Sequence, residues 1–163
     1  MLKYVFADTA YFLALSSRRD QLHPQARVLR ARYRKALLTT EWVLTEVAAT
    51  LAAPSTRSQF TSLIAQLREQ PEVRVIAADT DHFKQGCALY AERKDKRWSL
   101  TDCISFIVMR EHGVDAALTS DEDFVQAGFK RLMDPSPRGV REPASQPYGC
   151  GNVILAGTEL ACA

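Results

Sequence analysis

The chain has 163 residues, 47% of them hydrophobic and 25% charged, the make-up of one soluble globular domain that can bury a core. A formal net charge of +2 and a pI near 8.4 permit a nucleic-acid partner without arguing for one. Four cysteines with no CxxC pair, and three histidines far from them and from one another, argue against a zinc site or a disulfide framework and for a reducing, cytoplasmic setting.

The first segment, "MLKYVFADTAYFLALSS", imitates an export signal, but Asp8 interrupts its apolar run and argues against export. Nowhere does the sequence approach the ~20 uninterrupted apolar residues that span a bilayer, so a membrane function is not supported. Residues 2–7 read as a strand and 9–17 as a helix, with Asp8 at the junction. His23-Pro24 opens a second helix that runs to about Lys35; its Arg27, Arg30, Arg32 and Arg34 read as a solvated face. A short strand follows at 36–39.

Thr40 is placed to cap "EWVLTEVAATLA", where Trp42, Val43, Val47 and Leu51 recur at helical spacing and Pro54 closes the segment. "TRSQFTSLIAQLREQ" is an amphipathic helix stopped by Pro71, and the β-branched, alternating "VRVIAA" (73–78) is a strand. Asp79 begins the helix "DTDHFKQGCALYAER", which runs into the basic loop "RKDKRW". A helix over 100–112 stopped by Gly113, a strand at 115–119, a short helix in "DEDFVQAG" and a last strand in "FKRLM" complete the series. Cys87 and Cys103, inside helical patterns, read as buried thiols. Strands alternating with helices predict an α/β fold with a largely parallel sheet.

The composition changes after Asp134. Four of the seven prolines and four of the seven glycines lie in 135–163, so residues 1–134 read as the domain and 135–163 as a tail, loosely ordered or docked on the surface.

In a parallel α/β sheet the strand-to-helix turns gather at the carboxyl ends of the strands, where ligands bind. Asp8 follows the first strand, Asp121 follows "DAALT", and Asp102 opens the helix after "RWSL"; Asp8 and Asp121 should therefore share one edge. Each alone has a plain structural explanation, because an aspartate capping a helix contributes about 0.5–2 kcal/mol. Capping does not explain the set. Glu46 sits mid-helix on the more apolar side, about 140° round from Glu41, which reads as a solvated first-turn residue. With Asp123 added, up to five carboxylates converge with no basic residue in the same short motifs. Like charges so placed raise one another's pKa unless they share a cation, and oxygen-only ligation suits Mg²⁺ or Mn²⁺.

The segments "VFADTAYFLAL", "TTEWVLTEVAATL" and "WSLTDCISFIVMREHGVDAALTSDEDFVQAGF", in that order over roughly residues 3–133, resemble the PIN-domain ribonucleases, a family that includes the VapC-type toxins of toxin–antitoxin pairs. The resemblance implies a three-layer α/β/α fold with a mainly parallel sheet, and metal-dependent hydrolysis of RNA phosphodiesters with Mg²⁺ or Mn²⁺ held by the acidic cluster. Asp8 matches the family's first acid, Glu46 its helix-borne glutamate, Asp102 the aspartate of "SLTD" and Asp121 that of "T-x-D-x-x-F"; Asp123 falls where members vary. On this basis Asp8 and Asp102 are the principal metal ligands, Glu46 and Asp121 act directly or through water, and Thr9, Ser99 and Thr119 orient carboxylates by hydrogen bonds. The resemblance also brings an antitoxin protein and a homodimer into consideration as partners. The tail beyond Asp134 has no counterpart in the pattern.

An RNA substrate calls for cations to meet its phosphates. Lys94, Lys96 and Arg97, just before the "SLTD" element, are the first candidates and Arg18 and Arg19 the second; Trp98 is a candidate for stacking on bases, while Trp42 reads as core. Two rival functions are weaker. A binding module that does not cut RNA would be expected to lose at least one of the four acidic positions, and an α/β phosphatase would want "DxD" after the first strand, where this chain has "DTA".

Overall fold

A computed structural model describes residues 4–33 and 36–135. Among the described residues five strands form one sheet: β1 (Val5–Ala7), β2 (Leu37–Thr40), β3 (Arg74–Ile76), β4 (Ala116–Leu118) and β5 (Lys130–Arg131). Their order is β3-β2-β1-β4-β5, and every pair is parallel. The chain steps outward from β1 to β3, then returns across the sheet to β4 and β5. Because parallel crossovers are right-handed, this reversal puts the helices of the two runs on opposite faces. The outward run carries α1 (Thr9–Ser16), α2 (His23–Tyr33), α3 (Glu41–Thr50) and α4 (Arg57–Arg68); the return run carries α5 (Thr80–Glu92), α6 (Leu100–Glu111) and α7 (Glu122–Gln126). The expected three layers follow. No helix among the described residues is long and apolar enough to cross a membrane.

The inner strands explain themselves chemically. β1 (VFA) and β4 (AAL) are buried at every position, as strands covered on both faces must be, whereas the edge strand β3 exposes Arg74 and Val75. Phe6, Phe106, Phe124 and Phe129 make a continuous aromatic cluster, with Phe106 edge-on to Phe124 at 5.0 Å between ring centroids. Trp98 belongs to this cluster: it is 4% exposed, edge-on to Phe106 at 5.0 Å, with the Arg93 guanidinium 4.7 Å over its ring. The expectation that Trp98 stacks on bases is therefore overturned. Trp42 is only half-buried, packed edge-on to His82.

Element boundaries differ in small ways from the sequence expectation. Of "FKRLM" the regular strand is Lys130–Arg131, although the Leu132 and Met133 N–H groups still donate to the Ala117 and Thr119 carbonyls; Phe129 and Met133 are buried in the core. Cys87 is half-buried rather than buried; Cys103 is buried, and both thiols are free. Arg34, Lys35 and the tail from Ser136 lie outside the described residues. At the end of the described chain, Gln25 of α2 holds Asp134 with both ends of its amide, accepting from the Asp134 N–H at 2.9 Å and donating to its carbonyl at 3.1 Å.

One close approach positions α6. Gly86 of α5 is buried, and a Cβ built there would lie 2.4 Å from Cγ1 of the fully buried Ile104 on α6. Alanine in a helix interior is favoured over glycine by about 1 kcal/mol, but overpacking a core costs about 1–3 kcal/mol. The clash should win. Gly86→Ala is expected to lower the melting temperature by several degrees, and pairing it with Ile104→Ala should cost less than the sum of the two single changes. A neutral or stabilising Gly86→Ala would show that the two helices are not in contact at this point.

Candidate active site

The strand order reverses between β1 and β4, and that crevice is where an open parallel sheet offers a ligand site. The register Phe6↔Ala117 and Ala7↔Leu118 makes Asp8 and Thr119 the next pair beyond the strand ends. The Thr119 hydroxyl donates to Asp8 Oδ2 at 2.8 Å and accepts from the Asp121 N–H at 3.0 Å. Asp8 stands at the N-cap position of α1, yet its side chain makes no cap hydrogen bond, so capping does not account for it. On α3, Glu46 accepts a hydrogen bond from the Thr9 hydroxyl at 2.8 Å through Oε2. This joins the start of α1 to the third helix.

Asp102 does cap. Ser99 and Asp102 form a reciprocal capping box at the start of α6, the Ser99 N–H donating to Asp102 Oδ2 at 2.8 Å and the Asp102 N–H to Ser99 Oγ at 3.0 Å. Asp121 likewise caps α7 by accepting from the Asp123 N–H at 2.9 Å through Oδ1. Each of Asp8, Glu46, Asp102 and Asp121 thus has one oxygen held by a neighbour. Asp102, Asp121 and Asp123 bring one carboxylate oxygen each within 4.8 Å of one another. Asp123, the least certain acid of the sequence pattern, is therefore the third member of the tightest group, while Asp8 and Glu46 lie outside it but near enough to Asp102 for their charges to act on one another.

Charge and burial act together here. Burial pushes the Asp8 carboxyl up to about 7, with the charges of Asp102 and Glu46 adding to the rise and the Thr119 hydrogen bond opposing it. Burial pushes Asp102 up to about 6, opposed by its Ser99 hydrogen bonds and aided by Asp121 and Glu46. Asp123 is raised by partial burial and by Asp121, while Arg97 and Lys96 pull it down. Among the described residues none of these five carboxylates has a Lys or Arg ion-pair partner. Three carboxylate oxygens within 4.8 Å of one another, without a Lys or Arg ion-pair partner, fit a hard divalent cation, and among the described residues no His or Cys joins the group. The adjacent Cys103 thiol is buried and pushed up to about 11, which leaves it in the protonated, unreactive form.

Of the hydroxyls expected to orient carboxylates, Thr9 donates to Glu46 and Thr119 to Asp8, whereas the Ser99 hydroxyl accepts from the Asp102 backbone N–H and it is the Ser99 N–H that meets the Asp102 carboxylate. The cations divide. Lys96 and Arg97 lie close enough to Asp123 to act on its charge, and Lys94 shares their loop. Arg18 and Arg19 follow the far end of α1, an eight-residue helix about 12 Å long that starts just after Asp8, so the fold carries them away from the cluster. Arg27, Arg30 and Arg32 are exposed as expected, Arg30 donating to Gln66. Glu41 is exposed but not idle: it accepts from the Ala78 N–H at 2.8 Å and ties α3 to the segment after β3.

The PIN-domain family model matches residues 5–130. The 23S rRNA-specific endonuclease VapC20 of Mycobacterium tuberculosis is 30% identical over 125 residues, which cover 77% of this chain and 95% of the relative. The crystal structure of Mycobacterium tuberculosis VapC20, a sarcin-ricin loop cleaving toxin, superposes with a TM-score of 0.72 at 28% identity, over 79% of this chain and 98% of that one. A toxin–antitoxin complex from Klebsiella pneumoniae (TM-score 0.57, 16% identity, 80% and 98% covered) and the DNA-bound VapBC of Salmonella typhimurium (TM-score 0.55, 14% identity, 80% and 97% covered) share the fold.

The shifted carboxyls make a signed prediction. A carboxyl whose folded pKa is raised contributes relative stability that is present below the unfolded value near 4 and is lost as pH rises through the folded value, here about 7 for Asp8 and about 6 for Asp102. In chelator, Asp8→Asn should therefore melt like the wild type near pH 4 and above it by pH 8, with the gap opening between those limits. Divalent metal should then stabilise the wild type by roughly RT ln(1 + [L]/Kd) and the variant much less. Thermal melts across pH, with and without metal, check both arms; a gap independent of pH would rule out a buried, metal-free carboxylate at position 8.

Proposed function

The chain belongs to the PIN-domain family, and from that premise and the carboxylate geometry we propose that it is a metal-dependent endoribonuclease, the toxin of a toxin–antitoxin pair. The observation that carries the reading is the convergence of Asp102, Asp121 and Asp123 beside buried Asp8, with no cationic partner among the described residues. Asp8, Glu46, Asp102, Asp121 and Asp123 are the proposed metal-holding set. A bound Mg²⁺ or Mn²⁺ supplies charge neutralisation at the phosphate and a more acidic water for hydrolysis. The five carboxylates, each with one oxygen already engaged, offer mainly single oxygens, which suits the small octahedral Mg²⁺ or Mn²⁺ better than Ca²⁺, a cation that favours bidentate carboxylates and higher coordination.

The chain's own residues do the positioning. Thr119 holds Asp8 and the Asp121 turn in one arrangement, Thr9 orients Glu46, and Ser99 fixes Asp102. Lys94, Lys96 and Arg97 meet the RNA backbone and offset the repulsion between the acidic cluster and its polyanionic substrate. RNA is the substrate class, and 23S rRNA is the first to test because the relative VapC20 is named for cleaving it. An antitoxin protein is the expected partner, by likeness to the toxin–antitoxin neighbours. The free thiols of Cys87 and Cys103 support a cytoplasmic setting.

Asp121→Asn and Asp102→Asn should each lower metal-dependent RNA cleavage by on the order of 100-fold or more while the far-UV circular dichroism stays unchanged, since asparagine caps a helix about as well as aspartate. Undiminished cleavage by either variant would remove that residue from the metal-holding set. We place the domain boundary after Asp134, where Gln25 clamps the chain to α2. A protein ending at Asp134 should fold and cleave RNA as the full chain does; an insoluble product would make the tail part of the core.

A further inference from the structure

Beside the acidic cluster lies a cavity of about 470 Å³ formed by the end of α5, the loop that follows it and the start of α6. Its wall carries Arg93, Lys94, Lys96 and Arg97, together with Tyr90 and Trp98, and Cys103, the residue after Asp102, closes it on the side of the cluster. The cations are not equivalent. Arg93 is fixed by two hydrogen bonds of 2.9 Å to Asp95 and by its stack over Trp98, so it builds the wall. Lys96 stands at 4.0 Å from the same carboxylate. Lys94 and Arg97 are exposed and have no carboxylate within ion-pair distance among the described residues.

A run of charge is ordinarily a solvated face, but two further features set this one apart. Tyr90 is 56% exposed, a large aromatic ring left in water; of the two exposed aromatics of α5, Phe83 and Tyr90, it is the one that lines this cavity. Trp98 keeps its buried indole N–H without an acceptor among the described residues. A concave wall that combines a free aromatic face with unpaired cations matches an unstacked nucleotide, whose base offers a π-face and whose phosphate offers the anion.

We propose that this cavity is a nucleotide subsite, in which Tyr90 stacks on one base of single-stranded RNA while Lys94 and Arg97 hold the phosphate that links that nucleotide to the cleaved position. The assignment of the neighbouring phosphate to the acidic cluster rests on the ribonuclease reading above; the stacking and the phosphate contact do not. Single-stranded or looped RNA is thereby selected over duplex, because a paired base cannot leave its stack to meet Tyr90 without disrupting the helix.

The test separates the two ideas. Short RNA oligonucleotides carrying 2-aminopurine at successive positions are titrated, in chelator, into Asp102→Asn protein and into the same protein with Tyr90→Ala or Tyr90→Phe. Stacking on Tyr90 should quench the 2-aminopurine at one position. Tyr90→Ala should abolish that quenching and weaken binding roughly 5- to 100-fold, whereas Tyr90→Phe should preserve both. Lys94→Ala and Arg97→Ala should each flatten the slope of log K against log salt by about 0.7. An Asp102→Asn protein that neither binds nor quenches, a Tyr90→Ala protein that does both as before, or a Tyr90→Phe protein that fails as Tyr90→Ala does, overturns the subsite. Cleavage by the protein with Asp102 intact is scored separately with Mn²⁺: its absence defeats the ribonuclease reading while the binding titrations still judge the cavity.

Discussion

The hydroxyl of Thr119 is the joint on which the site depends. It donates to the buried Asp8 carboxylate at the end of the central strand and accepts the backbone N–H of Asp121, so one oxygen atom locks two acidic turns together across the crevice between β1 and β4. Parallel pairing makes this joint available, because only the register between these strands brings Asp8 and Thr119 side by side. The remaining acids arrive from helices that pack against the same region: Glu46 from α3, tied through Thr9, and Asp102 from α6, tied through Ser99. A cluster assembled in this way is electrostatically unfavourable in isolation. The aromatic and aliphatic core beneath it holds the acids at distances they would not choose.

Capping and membership of an acidic cluster are commonly treated as alternative explanations for an aspartate at a helix start, and here they coexist. Asp102 satisfies the first turn of α6 through one oxygen, and Asp121 does the same for α7. The cap fixes the rotamer of the carboxylate at no cost to its second oxygen, which is what a preorganised site requires. Asp8 is the exception. It occupies a cap position without capping, is 6% exposed, and is neutralised by nothing among the described residues except proton uptake and hydrogen bonding.

Most of this was legible in the chain because the signals were local. Apolar runs, caps and Pro or Gly stops located the helices and strands to within a few residues, and an alternation of strand and helix implied parallel pairing, which in turn put Asp8 and Asp121 on one edge. What remained hidden concerns direction rather than position. Periodicity places Trp98 at the mouth of a helix but does not tell that its indole turns inward onto Phe106. It places Arg18 and Arg19 near Asp8 in sequence, while the intervening helix separates them in space. Nothing in the sequence sets Tyr90 apart, because one aromatic in the last turn of an amphipathic helix has the pattern of core; its exposure depends on how α5 is rotated against α6. Asp123 looked secondary because its role depends on the tightness of the turn begun by Asp121, a matter of a single hydrogen bond.

The missing side chain at position 86 has a reach beyond the pair of helices it joins. Ile104, the residue it admits, lies two positions after Asp102 on the same rigid helix, so the spacing between α5 and α6 also sets how far one carboxylate stands from the others. Gly86 thus works as a gauge block for an acidic cluster it never touches. Since a misplacement of about 1 Å can cost on the order of 100-fold in rate, covariation among relatives should couple positions 86 and 104 by volume, a bulkier residue at one accompanied by a slimmer one at the other.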